Sequence, residues 1–211
     1  MTVPLPKTYR GPIFITDIDE TLRNNLGGVD DPPIEEAKSI VWEVARKRVP
    51  IVYLTAAEAV LFRPLNRRFL RSFPLGILFD RPPGDESANE RYKARILKGI
   101  AQAYPRATFV CMGDNLTGDA IAYQVCKGPS FIRKVSKWHQ GNTPSVRSSQ
   151  MTVYNEYTEK TKKEILAAIR SLQQVRSLAP PGATVHLPGK RLVTVGHHRL
   201  VNRLDGTTAE P

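Results

Sequence analysis

The sequence predicts an α/β fold built on a mainly parallel sheet, and three observations lead there. Short apolar runs recur without polar alternation, amphipathic stretches separate them, and acidic motifs begin where two of the runs end. Strands buried on both faces read as continuous apolar runs, and alternation with helical patterns argues for βαβ units under helices.

The first run is Ile13-Phe14-Ile15-Thr16. Pro32-Pro33 then opens a helical pattern over residues 34–48, with Ala37, Ile40, Val41, Val44 and Ala45 on one face and Glu35-Glu36 in the first turn. The second run is Ile51-Val52-Tyr53-Leu54. Residues 58–71 follow as a helix whose apolar face would be Val60, Leu61, Leu65, Phe69 and Leu70, with Pro64 expected to kink or restart it. The third run, Gly76-Ile77-Leu78-Phe79, precedes a helix over 89–104 that would bury Tyr92, Ile96, Ile100 and Ala103. The fourth is Thr108-Phe109-Val110-Cys111-Met112. Residues 133–150 lack periodicity and read as a basic loop. Residues 155–178 form a helix pattern with Ile165, Leu166, Ile169 and Leu172 as its stripe, stopped by Pro180-Pro181-Gly182. Two short apolar segments, 184–187 and 191–195, flank Pro188-Gly189-Lys190 and read as a β-hairpin.

Composition narrows the function classes. The 211 residues carry 31 Lys+Arg against 20 Asp+Glu, a net charge of +11, and 41% are hydrophobic. That hydrophobic fraction argues against wholesale disorder, and no apolar run approaches the roughly 18 residues of a transmembrane segment. Residues 1–7 lack the apolar region of a secretory signal. The two cysteines, Cys111 and Cys126, are too few for a disulfide framework. Cys111 lies within an apolar run, as a buried thiol in a reducing compartment would, so a cytoplasmic location is expected. Residues 1–129 hold 18 basic and 15 acidic side chains, whereas residues 130–211 hold 13 and 5. The positive excess, and with it the expectation of an anionic partner, therefore belongs mainly to the C-terminal part.

The chemistry lies in four elements. Asp17-Ile18-Asp19-Glu20-Thr21-Leu22 follows the first run directly. Ligands of parallel sheets sit outside the carboxyl ends of the strands. Carboxylates at i and i+2 there can approach one Mg²⁺, an ion that prefers hard oxygen ligands. A solvated turn with a helix cap is the alternative for such a pair. Thr55 follows the second run, where its hydroxyl could cap a helix. Lys93 and Lys98 compete as a cation on the third helix. After the fourth run comes Gly113-Asp114-Asn115-Leu116-Thr117-Gly118-Asp119, with two further carboxylates.

The full D-x-D-x-T-L after an apolar strand resembles motif I of the haloacid dehalogenase (HAD) superfamily of phosphohydrolases, and the later elements occur in that superfamily's order. The resemblance implies Asp17 as the nucleophile that forms an aspartyl-phosphate and Asp19 as the acid–base group. It also implies Thr55 as a phosphate contact, a catalytic lysine, and a Mg²⁺ site from Asp17, Asp19 (through its backbone carbonyl), Asp114 and Asp119. Lys93 with Tyr104-Pro105, the strand before Gly113-Asp114, Asp119 and Tyr123 resemble the catalytic domain of the actin-patch-associated phosphatidate phosphatases over about residues 12–133. That register selects Lys93 over Lys98. The chain departs from the family at Thr55-Ala56-Ala57-Glu58, where Ser-x-Ser-Pro is usual, and at Asp114-Asn115-Leu116, where Asp-Ser-Gly is usual. The catalytic positions are thus kept, while the neighbours that shape substrate choice are not.

Together these points predict a capless HAD-like Rossmannoid three-layer sandwich over residues 1–133. Residues 134–211 would add a basic loop, helix and β-hairpin on or beside it. Thirty-three residues separate Thr21 from Thr55, and 37 separate Thr55 from Lys93, too few for a cap domain. An open site suits a large or surface-bound phosphorylated substrate, lipid or nucleic acid. A polynucleotide end phosphatase and a non-catalytic binding module of the same fold are the alternatives. Arg63, Arg67, Arg68 and Arg71 read as a solvated helix face or a phosphate contact, and residues 133–149 as a segment for an anionic surface or a plain solvated loop. His186, His197 and His198 lack the Cys or clustered carboxylates of a zinc site. The oligomeric state stays open.

Overall fold

The computed structural model describes residues 5–6, 8–24, 31–126, 128–135, 150–177 and 199–200. The predicted hairpin segments, the three histidines and residues 136–149 lie outside the described residues.

Strands β1 (Pro12–Thr16), β2 (Ile51–Glu58), β3 (Ile77–Arg81), β4 (Thr108–Asp114), β5 (Ser130–Arg133), β6 (Met151–Tyr154) and β7 (Arg199–Leu200) form one sheet in the order β6-β5-β4-β1-β2-β3-β7. Six strands run parallel, and the short β7 pairs antiparallel with β3. The described residues also form helices α1 (Glu35–Arg46), α2 (Ala59–Leu70), α3 (Asn89–Ala103), α4 (Asp119–Ala122) and α5 (Glu159–Ser177).

The absence of alternation in β1 has its cause in two cores. Phe14 joins Ile40, Val41, Val44, Leu70 and α5 residues Ile165 and Ile169 on one face, while Ile13 and Ile15 join Leu97, Ile100 and Ala120 on the other. The result is a three-layer α/β/α sandwich. Its strand order reverses direction at β1, so the carboxyl ends of β1 and β4 form the crevice where such sheets bind ligands. Among the described residues no cap domain intervenes between Thr21 and Lys93.

Several expectations need correction. β5 and β6 were not among the predicted runs; β6 alternates half-buried ends around exposed Thr152 and Val153 and so lacks an apolar run. The basic loop begins and ends inside this sheet, since Arg133 closes β5 and Gln150 accepts a bond from Ser130 just before β6. Helix α5 starts at Glu159, after Thr158, whose hydroxyl accepts from the Thr161 backbone N–H at 3.3 Å. Pro64 does not restart α2, which runs through it from Ala59 to Leu70. The bond it cannot make would have gone to Val60, which is 64% exposed and can turn its carbonyl to water. Val60 and Leu61 are exposed and do not serve as a core face; α2 buries Ala59, Asn66 and Leu70, and its apolar contact with the core comes in the last turn, from Leu70 and Phe69.

Candidate active site

Asp17 follows the last residue of β1, Asp114 ends β4, and Asp119 opens α4, so adjacent parallel strands bring all three to one end of the sheet. Their ligand oxygens lie within 4.8 Å of one another, and all three side chains are buried. Gly113 permits the closest approach. A Cβ there would stand 2.5 Å from Asp119 Oδ2. Asp119 Oδ2 accepts from the Asp114 backbone N–H at 3.1 Å, and Asp114 Oδ1 accepts from the Thr117 N–H at 2.7 Å.

Lys93 lies at the centre of this cluster. Its ammonium donates to Asp17 Oδ1 at 2.9 Å, to Asp119 Oδ1 at 2.7 Å and to Thr117 Oγ1 at 3.0 Å. It belongs to the buried stripe of α3 with Tyr92, Leu97 and Ile100, a face rotated from the predicted one. Lys98, its competitor in sequence, is exposed. Three carboxylates thus face one ammonium. Burial raises the Asp17 carboxyl well above its ordinary value; Asp119 adds to the rise and Lys93 opposes it. Burial likewise pushes Asp119 up to about 6 against the pull of Lys93, with Asp114 adding to the rise. Burial alone would lower the Lys93 ammonium, but Asp119, Asp17 and Asp114 outweigh it and hold it above its ordinary value. Uncompensated buried charge is costly, and an all-oxygen donor set of this kind suits a hard divalent cation. The residues present therefore fit a hard divalent cation, which Asp17, Asp114 and Asp119 could hold.

Asp19 lies outside this cluster. Arg23 donates to its Oδ1, and Thr55 donates to its Oδ2 at 3.1 Å. The turn that carries it is unusual: Glu20 adopts φ 57°, and its carbonyl accepts from Arg133 at 2.9 Å. Thr55 sits where β2 shifts register against β3, and its hydroxyl accepts from the Ala57 N–H at 3.0 Å. It is not a helix N-cap, because α2 begins only at Ala59. The predicted residues Asp17, Lys93, Asp114 and Asp119 therefore come together, with Asp19 and Thr55 as a bonded pair beside them.

Three site residues escaped the sequence reading: Thr117, Arg23 and Asn66. The Thr117 hydroxyl lies within 3.3 Å of Asp17 Oδ2, within 3.2 Å of Asp119 Oδ2 and closest to Asp114 Oδ2. The i, i+4 spacing of Asp19 and Arg23 was the one available signal for the second. Asn66 carried none. The arginine row of α2 is not simply solvated, since Arg63 makes a bidentate pair with buried Asp80 at 2.7 Å on both arms.

This fold, with an acidic cluster and a buried lysine brought together at the strand ends, defines a HAD-like domain. Residues 13–136 match the family model described as "Phosphatidate phosphatase APP1, catalytic domain", and the chain belongs to that family. No curated protein matches the sequence. Among solved structures, a HAD-like phosphatase candidate of Mesorhizobium loti shares the fold at TM-score 0.56 and 12% identity, over 77% of this chain and 88% of that one. A chain of the Pnkp1/Rnl/Hen1 complex shares it at TM-score 0.51 and 16% identity, over 65% of this chain. The present chain covers about half of that one, 51%. No described helix is long and apolar enough to cross a membrane.

Proposed function

We propose that the protein is a Mg²⁺-dependent phosphomonoester hydrolase that works through an aspartyl-phosphate on Asp17. The observation that carries this is the contact of Lys93 with both Asp17 and Asp119 inside a buried acidic cluster at the ends of β1 and β4.

A phosphate dianion and a carboxylate repel. Two unit charges about 4 Å apart cost roughly 4 kcal/mol at an effective dielectric of about 20. Lys93 offsets part of that and fixes one oxygen of Asp17, leaving the other to attack phosphorus. Thr55 turns its hydroxyl from Asp19 to a phosphoryl oxygen. As the bond from phosphorus to the leaving oxygen breaks, Asp19 supplies that oxygen with a proton. Asp19 then takes a proton from water, whose oxygen attacks phosphorus and releases phosphate and the Asp17 carboxylate. Mg²⁺ on Asp17, Asp114 and Asp119, with the Asp19 carbonyl as a further ligand, would neutralise charge on the phosphoryl oxygens.

The lack of a cap among the described residues supports a large or surface-bound phosphorylated substrate. The family name points to phosphatidate, whereas the departures at Thr55–Glu58 and Asn115–Leu116 argue for a different choice. The basic balance of residues 130–211 favours a polynucleotide end as the second reading. Residues 134–211 serve in this reading as an extension of the 1–133 core, with residues 133–149 as its contact to an anionic surface. The buried free thiols Cys111 and Cys126 suit work in the cytoplasm.

The test is phosphate release from lipid, nucleotide, peptide and nucleic-acid-end monoesters, with Mg²⁺ and with chelator. We expect Mg²⁺-dependent release that Asp17→Asn abolishes while the variant keeps its cooperative melt. Full turnover by Asp17→Asn would end the assignment, and no turnover on any monoester would favour a binding module.

A further inference from the structure

We propose that Arg23 is a positioning residue that fixes the Asp19 carboxylate for proton transfer to the leaving oxygen. The inference rests on the reading of Asp19 as the acid–base group.

Arg23 is 1% exposed, among the largest fully buried side chains of the molecule. Its Nε stands 2.8 Å and its Nη2 2.6 Å from Asp19 Oδ1. The same Nη2 donates to Asn66 Oδ1 at 3.0 Å, and the guanidinium lies 5.3 Å from the centroid of the Phe69 ring. Asn66 and Phe69 both belong to α2, so the arginine ties motif I to that helix. Asn66 is wholly buried, and its amide nitrogen meets no partner. A buried donor left unmade is a cost that an apolar residue would avoid. Among the described residues, the carbonyl held against Arg23 makes the one hydrogen bond of this side chain.

Asp19 has two holders of different kinds. Thr55 grips Oδ2, but its hydroxyl is the group that a phosphate would claim. Arg23 grips Oδ1 and is itself held by Asn66, through the Nη2 it shares with Asp19, and by the Phe69 ring. Once Thr55 turns to substrate, the guanidinium, with Nε and Nη2 both on Oδ1, is the side-chain holder of this carboxylate left among the described residues. A buried ion pair is weak evidence for stability as such, because apolar residues often do as well in its place. Its position on the acid–base group is what gives it a role.

The experiment is a kcat series on substituted phenyl phosphates, from good leaving groups that need no proton to poor ones that do. Asp19→Asn, Arg23→Gln, Arg23→Lys, Asn66→Leu and the double variant of Asp19→Asn with Arg23→Gln are compared in Mg²⁺. General acid–base assistance is worth about 10²- to 10⁴-fold, so Arg23→Gln should lose about tenfold more on the poorest leaving group than on the best. KM should change little. Arg23→Lys should restore part of that loss, and Asn66→Leu should show a smaller loss of the same pattern. Arg23→Gln should add nothing to Asp19→Asn. An equal loss across the series in both Arg23→Gln and Asn66→Leu would make Arg23 a support of the fold and overturn the inference. If Asp19→Asn itself shows no leaving-group pattern, the acid–base reading falls and this inference with it. A pattern in Asp19→Asn without one in Arg23→Gln or Asn66→Leu removes the inference alone. Should Arg23→Gln fail to fold, Arg23→Lys and Asn66→Leu decide the matter.

Discussion

Lys93 Nζ and Asp17 Oδ1 are 76 residues apart in the chain and 2.9 Å apart in space. Helix α3 makes the contact possible by placing a lysine on its buried stripe, one turn before Leu97. The ammonium is wholly buried and faces three carboxylates, so folding places charge where only charge can compensate it.

Lys93→Met should therefore destabilise the protein sharply in the absence of metal. Removing one partner of a buried ion pair costs about 3–5 kcal/mol, which for a chain of this size lowers Tm by roughly 6–20 °C. Mg²⁺ should recover part of the loss, because an ion on the same carboxylates replaces the missing charge. Thermal melts with and without Mg²⁺ check this. Equal melting of variant and wild type without metal would contradict the ion-pair account.

The raised carboxyls set a pH dependence whose sign is definite. Asp119 has its proton affinity raised from 3.8 to about 6, and Asp17 is raised in the same direction. Between those two values the folded state binds more protons than the unfolded state, so this contribution to stability falls as pH rises from about 4 through 6. Lys93, raised above its ordinary value, keeps its contribution throughout that window. Wild type without metal should thus lose ground against Asp119→Asn between about pH 5 and pH 7. The Mg²⁺-induced gain in Tm should run the other way and grow over the same interval, because the ion requires ionised carboxylates. Melts of both proteins at the two pH values, with metal and with chelator, measure both slopes. A Mg²⁺ gain that shrinks with pH would remove Asp17 and Asp119 as ligands.

Much of this was legible because a doubly covered parallel sheet writes its strands as apolar runs and places its chemistry just after them. Asp17 and Asp114 follow or end such runs, and Asp119 lies five residues beyond Asp114. Thr55 was visible for the same reason. Short strands without a run, such as β6, were not. Nor were groups whose role arises only from tertiary contact. Asn66 looks like one polar residue on an arginine-rich helix until α2 docks it onto Arg23, 43 residues away. Val60 and Leu61 misled in the opposite sense, since helical periodicity does not tell how far along its length a helix touches the sheet.

Thr117 is the site residue whose importance sequence hid most, and it offers the sharpest remaining test. Its hydroxyl has one proton and several acceptors within reach: Asp17 Oδ2, Asp119 Oδ2 and, closest, Asp114 Oδ2. Lys93 donates to the same oxygen at 3.0 Å, which leaves the threonine proton free for a carboxylate. The hydroxyl thus orients the acidic cluster without being a charge itself. Thr117→Val keeps the shape and removes that bond. A buried acceptor and a buried ammonium donor each lose a partner, at a cost of about 1–3 kcal/mol in stability. Groups that orient metal ligands typically change metal affinity by about 10–100-fold, so Mg²⁺ should bind more weakly by that order. Calorimetric titration of Mg²⁺ reads the second effect and melts without metal read the first. An unchanged Mg²⁺ affinity together with a lowered Tm would assign Thr117 to packing alone, because a group that only fills space has no reason to alter how three carboxylates meet an ion.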